Sequence, residues 1–226
     1  MKRRSATSDD ISALDGLVDV SRETTERLER FVALVRKWQT AENLVAPETL
    51  PVIWTRHVAD SAQLAKIFPD ARAWVDLGSG AGFPGIVLAI LLAELPDGIV
   101  HLVESNQRKC AFLRQAIRET GASGKVHAGR IEAVLAEWRE PVDMISARAL
   151  APLDRLLSLA EPLLAKGAVG AFHKGQDFER EIEEASKSWE FDLILHKSLV
   201  DGRGVILEIR SLTRKAKDPT GVRGRP

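Results

Sequence analysis

The sequence lacks residues that several classes of protein need. Its 226 residues include no tyrosine and a single cysteine, Cys110, and aromatic residues make up only 5% of the chain. One cysteine cannot form an internal disulfide bond or a cysteine-rich zinc or iron–sulfur site. No RNA-binding module that stacks bases on aromatic rings is evident either. Cys110 itself falls in an apolar helical stretch, where we expect it to be buried and inert.

Long apolar runs are also missing. The longest run, 86–93, ends at Glu94, far short of the roughly 20 residues that a bilayer requires. The first ten residues carry positive charge but reach Asp9 and Asp10 without an apolar segment, which is not the pattern of a secretory signal. We therefore expect a cytoplasmic protein with no membrane partner. We also expect a monomer, although these patterns do not determine the oligomeric state.

Excess charge of either sign is absent too, since 32 Lys and Arg balance 32 Asp and Glu. A uniformly cationic RNA-coating protein is therefore excluded. The balance hides local differences, because residues 177–190 carry a net charge of −4 and residues 214–226 a net charge of +4. The acidic stretch indicates an exposed helix face. The basic stretch, rich in Pro and Gly, indicates a flexible tail.

The hydrophobic pattern changes once along the chain. Apolar residues at helical spacing over 22–39, and a shorter stretch from Ile11 to Val18, predict helices, and no strand signal appears before Trp74. After Ala73, short apolar strands alternate with helical segments, which predicts a parallel sheet with helices on both faces. The predicted strands are 74–77, 100–104, 125–128, 142–146 and 168–173, and the predicted helices lie near 85–95, 106–119, 131–138 and 153–164.

A last pair of strands, 193–196 and 205–209, is separated by a turn-rich segment with no helix, which predicts an antiparallel hairpin. The expected fold class is therefore α/β, with a mostly parallel seven-stranded, Rossmann-like sheet and a terminal antiparallel hairpin. The predicted organisation is an N-terminal helical cap over 1–70, a sheet domain over 71–212 and a basic tail over 213–226.

The strongest chemical signal is the segment 75–85, Val-Asp-Leu-Gly-Ser-Gly-Ala-Gly-Phe-Pro-Gly, between the first strand and the next helix. Its glycines allow a sharp turn and let a ligand lie against the main chain. The second strand ends at Glu104, 22 residues after Gly82, where a carboxylate can accept hydrogen bonds from both hydroxyls of an adenosine ribose.

Asp76 bears on which cofactor binds. An acid immediately before the loop suits a ligand with an ammonium and a sulfonium better than a pyrophosphate. The sequence therefore favours S-adenosylmethionine over NAD, and the terminal hairpin agrees with the methyltransferase version of this sheet. An NAD(P)-binding oxidoreductase stays open as an alternative.

With these residues, the chain resembles the bacterial small-subunit ribosomal RNA guanine-N7 methyltransferases, the RsmG or glucose-inhibited division protein B family. The resemblance runs from about residue 28 to 210 and is most specific in the Gly-Phe-Pro-Gly ending of the loop and in Arg-His-Val-Ala-Asp-Ser at 56–61. The sequence departs from the family where Ala147 separates Ser146 from Arg148. Supporting matches are Asn43-Leu44, Glu104-Ser105, Lys109, Phe112-Leu113, 129–132, 146–149 and Lys174-Gly175.

The resemblance implies a class I methyltransferase fold and transfer of a methyl group from S-adenosylmethionine to N7 of guanine 527 in the 530 loop of 16S ribosomal RNA. The RNA partner would be free 16S rRNA or a small ribosomal subunit particle. Guanine N7 carries a lone pair and no proton, so no general acid or base and no metal is expected. The implied cofactor-binding residues are Asp76, Gly78, Gly80, Gly82, Phe83, Glu104, Ile131, Glu132 and Arg148.

Further polar residues are candidates for positioning the substrate rather than for proton transfer. They are Arg56, His57, Asp60, Arg148 and Lys174. RNA recognition is expected from local positive charge on one face, with candidates at Arg3, Arg4, Arg36, Lys37, Arg56, Lys174, Arg203 and the tail. The alternatives left open are a methyltransferase of another RNA, a protein or a small molecule, and a ribosome-assembly factor that merely retains the cofactor site.

Overall fold

Five parallel strands and a terminal antiparallel pair form one sheet in the computed structural model, which describes residues 9–216. The strand order is β3-β2-β1-β4-β5-β7-β6. The predicted α/β fold with a mostly parallel seven-stranded sheet and a terminal hairpin is confirmed. The strands are β1 Ala73–Leu77, β2 Ile99–Glu104, β3 Gly124–Ala128, β4 Met144–Arg148, β5 Val169–Lys174, β6 Trp189–Lys197 and β7 Val205–Arg214.

Seven α-helices are found within residues 9–216: α1 Arg22–Trp38, α2 Asp60–Ile67, α3 Gly85–Leu92, α4 Gln107–Thr120, α5 Ile131–Ala136, α6 Leu153–Leu164 and α7 Phe178–Ala185. Short 3₁₀ helices span Ile11–Leu14 and Pro47–Val52, and a π-helical segment, Trp54–Ala59, leads directly into α2. None of the helices in this part of the chain is long and apolar enough to cross a membrane.

The N-terminal helices share a hydrophobic core with one face of the sheet. Helix α1 begins at the cap residue Ser21, whose side chain accepts a hydrogen bond from the Thr24 amide. Its apolar side buries Phe31, whose ring lies 5.1 Å from that of Phe83 and 6.3 Å from that of Phe112. The N-terminal layer therefore packs directly on the glycine-rich loop and on α4.

The opposite face of the sheet is covered by α5, α6 and α7. Successive residues of each strand alternate between the two faces, so Trp74 packs with the N-terminal layer while Val75 packs under α6. This alternation places the Asp76 side chain on the same face as Trp74, toward α3.

The strand order reverses between β1 and β4, which are neighbours in the sheet although β2 and β3 separate them in sequence. Chain connections leave on opposite sides at such a point and open a crevice at the carboxyl ends of the strands, where α/β proteins of this type bind ligands. The glycine-rich loop follows β1 there, and Arg148 ends β4.

Several predicted strand boundaries were wrong, including the start of the sixth strand, which was expected at 193 and lies at Trp189, and the end of the seventh, which was expected at 209 and lies at Arg214. The fourth strand was expected at 142–146 but begins two residues later, because Asp143 ends the preceding loop, where its carboxylate accepts hydrogen bonds from the amides of Arg72 and Ala73. Arg148 is consequently the last residue of β4, not a residue beyond it.

The helix in the acidic stretch ends earlier than predicted, and the basic tail begins later than predicted. Helix α7 ends at Ala185, and Trp189 and Glu190 already belong to β6. Strand β7 continues to Arg214, which pairs with Trp189 and places its guanidinium 4.4 Å from the centre of that ring. Residues 213 and 214 are therefore strand rather than tail, and 217–226 lie outside the described residues.

A shared core predicts that truncating a buried side chain of α1 destabilises the whole fold. Leu28 is fully buried, so Leu28→Ala should lower the free energy of unfolding by about 2–5 kcal/mol. Urea denaturation followed by tryptophan fluorescence and by circular dichroism should show one shared transition. Leu199, which is 53% exposed, provides the matched control, and Leu199→Ala should change stability by less than about 0.5 kcal/mol. A separate early transition in Leu28→Ala would show that the N-terminal layer unfolds independently.

Candidate active site

Two adjoining cavities open at the carboxyl ends of the strands. The larger, of about 710 Å³, lies between the glycine-rich loop, the π-helical segment and the β6–β7 connection. The smaller, of about 440 Å³, lies between the same loop and the segments that follow β2 and β3. They meet along a shared wall, which we call the junction, formed by Gly78, Gly80, Lys109 and 149–151.

The glycine-rich loop supplies part of the junction and part of the core. Gly80 has a φ of +53° and lines both cavities, so its main chain is exposed where a side chain would intrude. Gly82 has a φ of +83°, and a Cβ there would lie 2.6 Å from a side-chain carbon of Ile86. Gly82 therefore lets the loop pack against the core, and unlike Gly78, Gly80 and Phe83 it lines neither cavity.

Glu104 connects the loop to the end of β2. One carboxylate oxygen accepts a hydrogen bond from the Gly80 amide at 2.9 Å, and the other accepts one from the Asn106 amide at 2.7 Å. The side chain is buried and lines the smaller cavity. Each oxygen retains a lone pair beyond these bonds, so Glu104 is able both to hold the loop and to accept from a ligand hydroxyl.

Asp76 lies beneath the loop rather than in either cavity. Ser146 donates a hydrogen bond to one of its carboxylate oxygens at 2.7 Å, and the other oxygen faces Gly85 at the start of α3. Burial raises the pKa of Asp76 from 3.8 to about 6, and the hydrogen bond from Ser146 opposes that rise. Asp76 therefore supports the loop from beneath and lines neither cavity, and its contact with the cofactor stays a prediction.

Arg148 is the centre of a polar network in the larger cavity. Its guanidinium donates to Asp60 Oδ2 at 3.1 Å, to the Arg56 carbonyl at 3.2 Å and to His57 Nδ1 at 2.8 Å. It also lies 5.4 Å from the centre of the Phe83 ring. The next residue, Ala149, has a φ of +52° and lines both cavities, and strained backbone of this kind is common at binding sites.

His57 is held neutral in this network. An arginine only donates hydrogen bonds, so His57 Nδ1 must accept from Arg148, and the ring proton is on Nε2, which donates to Thr49 Oγ1 at 2.7 Å. Burial, assisted by the adjacent positive charge of Arg148, lowers the pKa of His57 to about 3. Both ring nitrogens are therefore occupied, which leaves His57 unable to act as a general base.

His173, at the end of β5, completes the network from the other side. Its Nε2 donates to the Asp60 carbonyl at 2.9 Å, and burial lowers the pKa of the ring. Asp60 thus joins α2 to both β4 and β5. All five predicted positioning residues line the larger cavity, and four of them, Arg56, His57, Asp60 and Arg148, belong to this network.

Lys174 lines the same cavity but is already paired. Its ammonium donates to Glu181 at 2.6 Å and to the Ala151 carbonyl at 2.8 Å, and its side chain is 7% exposed. Glu181 also accepts from the Leu153 amide at 2.7 Å. Lys174 therefore fixes the segment between β4 and α6, and these contacts use two of its three ammonium donors.

The remaining predicted residues are divided between cavities and surface. Ile131 and Glu132 line the smaller cavity, where Glu132 forms an ion pair with Arg155. Among the predicted RNA contacts, Arg36, Lys37 and Arg203 line neither cavity. Arg3 and Arg4 lie outside the described residues, as does the tail beyond 216.

Several lining residues received no role from sequence. Thr49, Asp201 and Glu181 come from segments without a motif, and only the fold brings them to the larger cavity. The sequence could have indicated a role for His173, because this residue ends a predicted strand and directly precedes Lys174. Lys109 matched the family pattern, but its place at the junction depends on how α4 packs against the loop.

Comparison with known proteins identifies the relatives of this chain. A family model described as "GidB: rRNA small subunit methyltransferase G" matches residues 24–210. A protein of Rhizobium johnstonii named ribosomal RNA small subunit methyltransferase G is 57% identical over 203 residues, covering 89% of this chain and 98% of its own. The protein of that name in Bradyrhizobium sp. (strain ORS 278) is 50% identical over 214 residues, covering 95% of this chain and 96% of its own.

Solved structures resemble the chain in fold. A Podospora anserina methyltransferase bound to S-adenosylhomocysteine has a TM-score of 0.61 at 10% identity, covering 88% of this chain and 92% of its own. An O-methyltransferase from Bacillus cereus in complex with S-adenosylhomocysteine has a TM-score of 0.55 at 18% identity, with coverages of 89% and 96%. At these identities the likeness establishes a shared fold alone.

The position of Glu104 predicts a specific loss of cofactor affinity. Glu104→Ala removes an acceptor from the smaller cavity and releases the amides of Gly80 and Asn106, so it should weaken S-adenosylhomocysteine binding by about 1–3 kcal/mol. Isothermal titration calorimetry measures this directly. Glu190→Ala, on the exposed start of β6, serves as the control and should bind like the wild type. Unchanged affinity in Glu104→Ala would remove Glu104 from the site.

The raised pKa of Asp76 predicts a pH-dependent stability difference. Between its unfolded pKa of 3.8 and its folded pKa of about 6, the folded state binds more protons, so rising pH destabilises the protein through this group. The Asn side chain in Asp76→Asn cannot ionise, so the variant does not lose unfolding free energy through this position as the pH rises. Relative to wild type, the variant should therefore gain about 1.4 kcal/mol of unfolding free energy between pH 5 and pH 8. Urea titrations at both pH values test this, and a difference that stays constant would contradict a raised pKa.

Proposed function

Because the chain belongs to the family of ribosomal RNA small subunit methyltransferases G, we propose that it methylates N7 of a guanine in 16S ribosomal RNA with S-adenosylmethionine as the methyl donor. The observation that carries the proposal is the extent of the match, since the family model spans 24–210 and thus includes every strand except the end of β7. The predicted alternatives, including an NAD(P)-dependent enzyme, receive no comparable support.

The residues of the smaller cavity fit an adenosine-type cofactor. Glu104 provides a buried carboxylate with free lone pairs, and the exposed main chain of Gly80 leaves room for a ligand against the loop. Ile131 and Glu132 lie further along the same wall. We assign the adenosine of S-adenosylmethionine to this cavity, with Glu104 on the ribose and the segment beginning at Ile131 beside the adenine.

The larger cavity then receives the guanine. When bound, S-adenosylmethionine supplies an electrophilic methyl group on a positively charged sulfur. Guanine N7 is a nucleophile without a proton to lose, so the chain has to place it correctly and need not deprotonate it. The state of His57 agrees, because both of its ring nitrogens are committed to hydrogen bonds and its pKa lies near 3.

Arg148 is the residue best placed to orient the base. A guanidinium has five N–H donors, and the contacts of Arg148 within the described residues account for three of them. The other two are available to a ligand acceptor, and guanine presents O6 next to N7 on the same edge. We assign Arg148 to O6 on that edge, so that the lone pair of N7 stays free to attack the methyl group, with the Phe83 ring as part of the surrounding wall.

Identification of the methylated product tests the function. Purified protein, methyl-labelled S-adenosylmethionine and either naked 16S rRNA or small ribosomal subunits should yield labelled N7-methylguanosine after digestion to nucleosides. The same label should map to one guanine, and the two RNA substrates establish which particle the enzyme uses. Label in another nucleoside, or no transfer to either substrate from an enzyme that binds the cofactor, would refute the proposal.

A further inference from the structure

The cations that line the two cavities differ in whether their charge is already neutralised. Lys109 is half-buried at the junction, and its ammonium forms no hydrogen bond or ion pair with any residue between 9 and 216. We infer that Lys109 binds an anionic oxygen of a substrate, either the carboxylate of S-adenosylmethionine or a phosphate of the RNA. This inference rests on the proposed function, which supplies the two substrates.

The other cations of the larger cavity are all paired. Arg56 forms an ion pair with Asp201 at 2.5 Å, and Arg148 forms one with Asp60 at 3.1 Å. The third pair joins Lys174 to Glu181 at 2.6 Å. Four cations therefore face three carboxylates along this cavity, and both of its histidines have lowered pKa values that keep them neutral. The positive charge left over belongs to Lys109.

The charged residues of the smaller cavity also single out Lys109 as an unpaired cation. Arg155 forms an ion pair with Glu132, while the carboxylate of Glu104 takes its hydrogen bonds from main-chain amides. Arg130 also lacks a hydrogen-bonded acceptor in this part of the chain, but it lines the smaller cavity alone. Lys109 lines both cavities and is thus the unpaired cation nearest to the place where cofactor and RNA must meet.

The fold holds Lys109 at this place. It lies in the first turn of α4, where Asn106 caps the helix by accepting from the amides of Arg108 and Lys109. The following residues of the helix, Cys110 and Phe112, are fully buried, so the helix cannot rotate without exposing them. An ammonium carries three donors, and an anionic oxygen at the junction would satisfy them and neutralise the charge.

The cofactor arm of the test uses a pair of ligands that differ by one carboxylate. If Lys109 binds that group, Lys109→Gln should weaken S-adenosylmethionine by about tenfold, as expected for a lost charge-assisted hydrogen bond. The same variant should bind decarboxylated S-adenosylmethionine as the wild type does. Lys109→Arg, which keeps the charge, should recover most of the affinity.

The RNA arm uses the salt dependence of binding to 16S rRNA. If Lys109 binds a phosphate, Lys109→Gln should reduce the slope of log affinity against log salt concentration by about 0.7–0.9, the contribution of one neutralised phosphate. Its affinity for S-adenosylmethionine should then equal that of the wild type. Either arm alone supports the inference and identifies the source of the anion.

Lys187 provides the matched control. It lies between α7 and β6 at the opposite edge of the sheet and pairs with Glu184, so Lys187→Gln removes one lysine charge away from both cavities. The inference is overturned if Lys109→Gln, folded by circular dichroism, behaves like Lys187→Gln in both arms. Because both arms measure binding, this outcome is distinguishable from failure of the proposed function, which would appear as absence of N7-methylguanosine with the wild-type enzyme.

Discussion

Arg148 is the last residue of β4, and its side chain is only 17% exposed. The positive charge of this largely buried guanidinium has to be balanced by nearby acceptors and by an opposite charge. Asp60 supplies the opposite charge from α2, while the Arg56 carbonyl and the His57 ring supply acceptors from the π-helical segment. Removing one partner of a buried pair leaves an uncompensated charge, at a cost of about 3–5 kcal/mol. The N-terminal helices are thereby held to the carboxyl ends of the strands, and this contact forms one wall of the larger cavity.

The same constraint sets the chemistry that the site can perform. Arg148 occupies one nitrogen of His57 and helps to lower its pKa to about 3, so the histidine beside the cavity positions other groups and does not accept protons. Asp60, Glu181 and Asp201 are likewise committed to cations. A site whose acids and bases are neutralised in pairs suits a nucleophile that has no proton to lose, as guanine N7 is.

The sequence predicted the sheet, its hairpin and the glycine-rich loop, because strand periodicity and glycine spacing are local signals. It also singled out Arg56, His57, Asp60 and Arg148 through the family resemblance, and the structure brings them together in the larger cavity. It did not predict that Asp76 lies under the loop, since burial of that side chain depends on Ser146 of a distant strand. Nor did it predict that Lys174 is paired, because Glu181 comes from the acidic stretch that we interpreted as an exposed face. Pairing of charges across the fold is a tertiary property that spacing along the chain does not encode.

As a member of its family, this chain methylates N7 of a guanine in 16S rRNA. The most direct measurement is the mapping of N7-methylguanosine in small-subunit rRNA from a strain that lacks the gene, beside the same strain supplied with the intact gene. We expect the modification to disappear from a single guanine in the deletion strain and to return on complementation. Full retention of N7-methylguanosine in the deletion strain would contradict it.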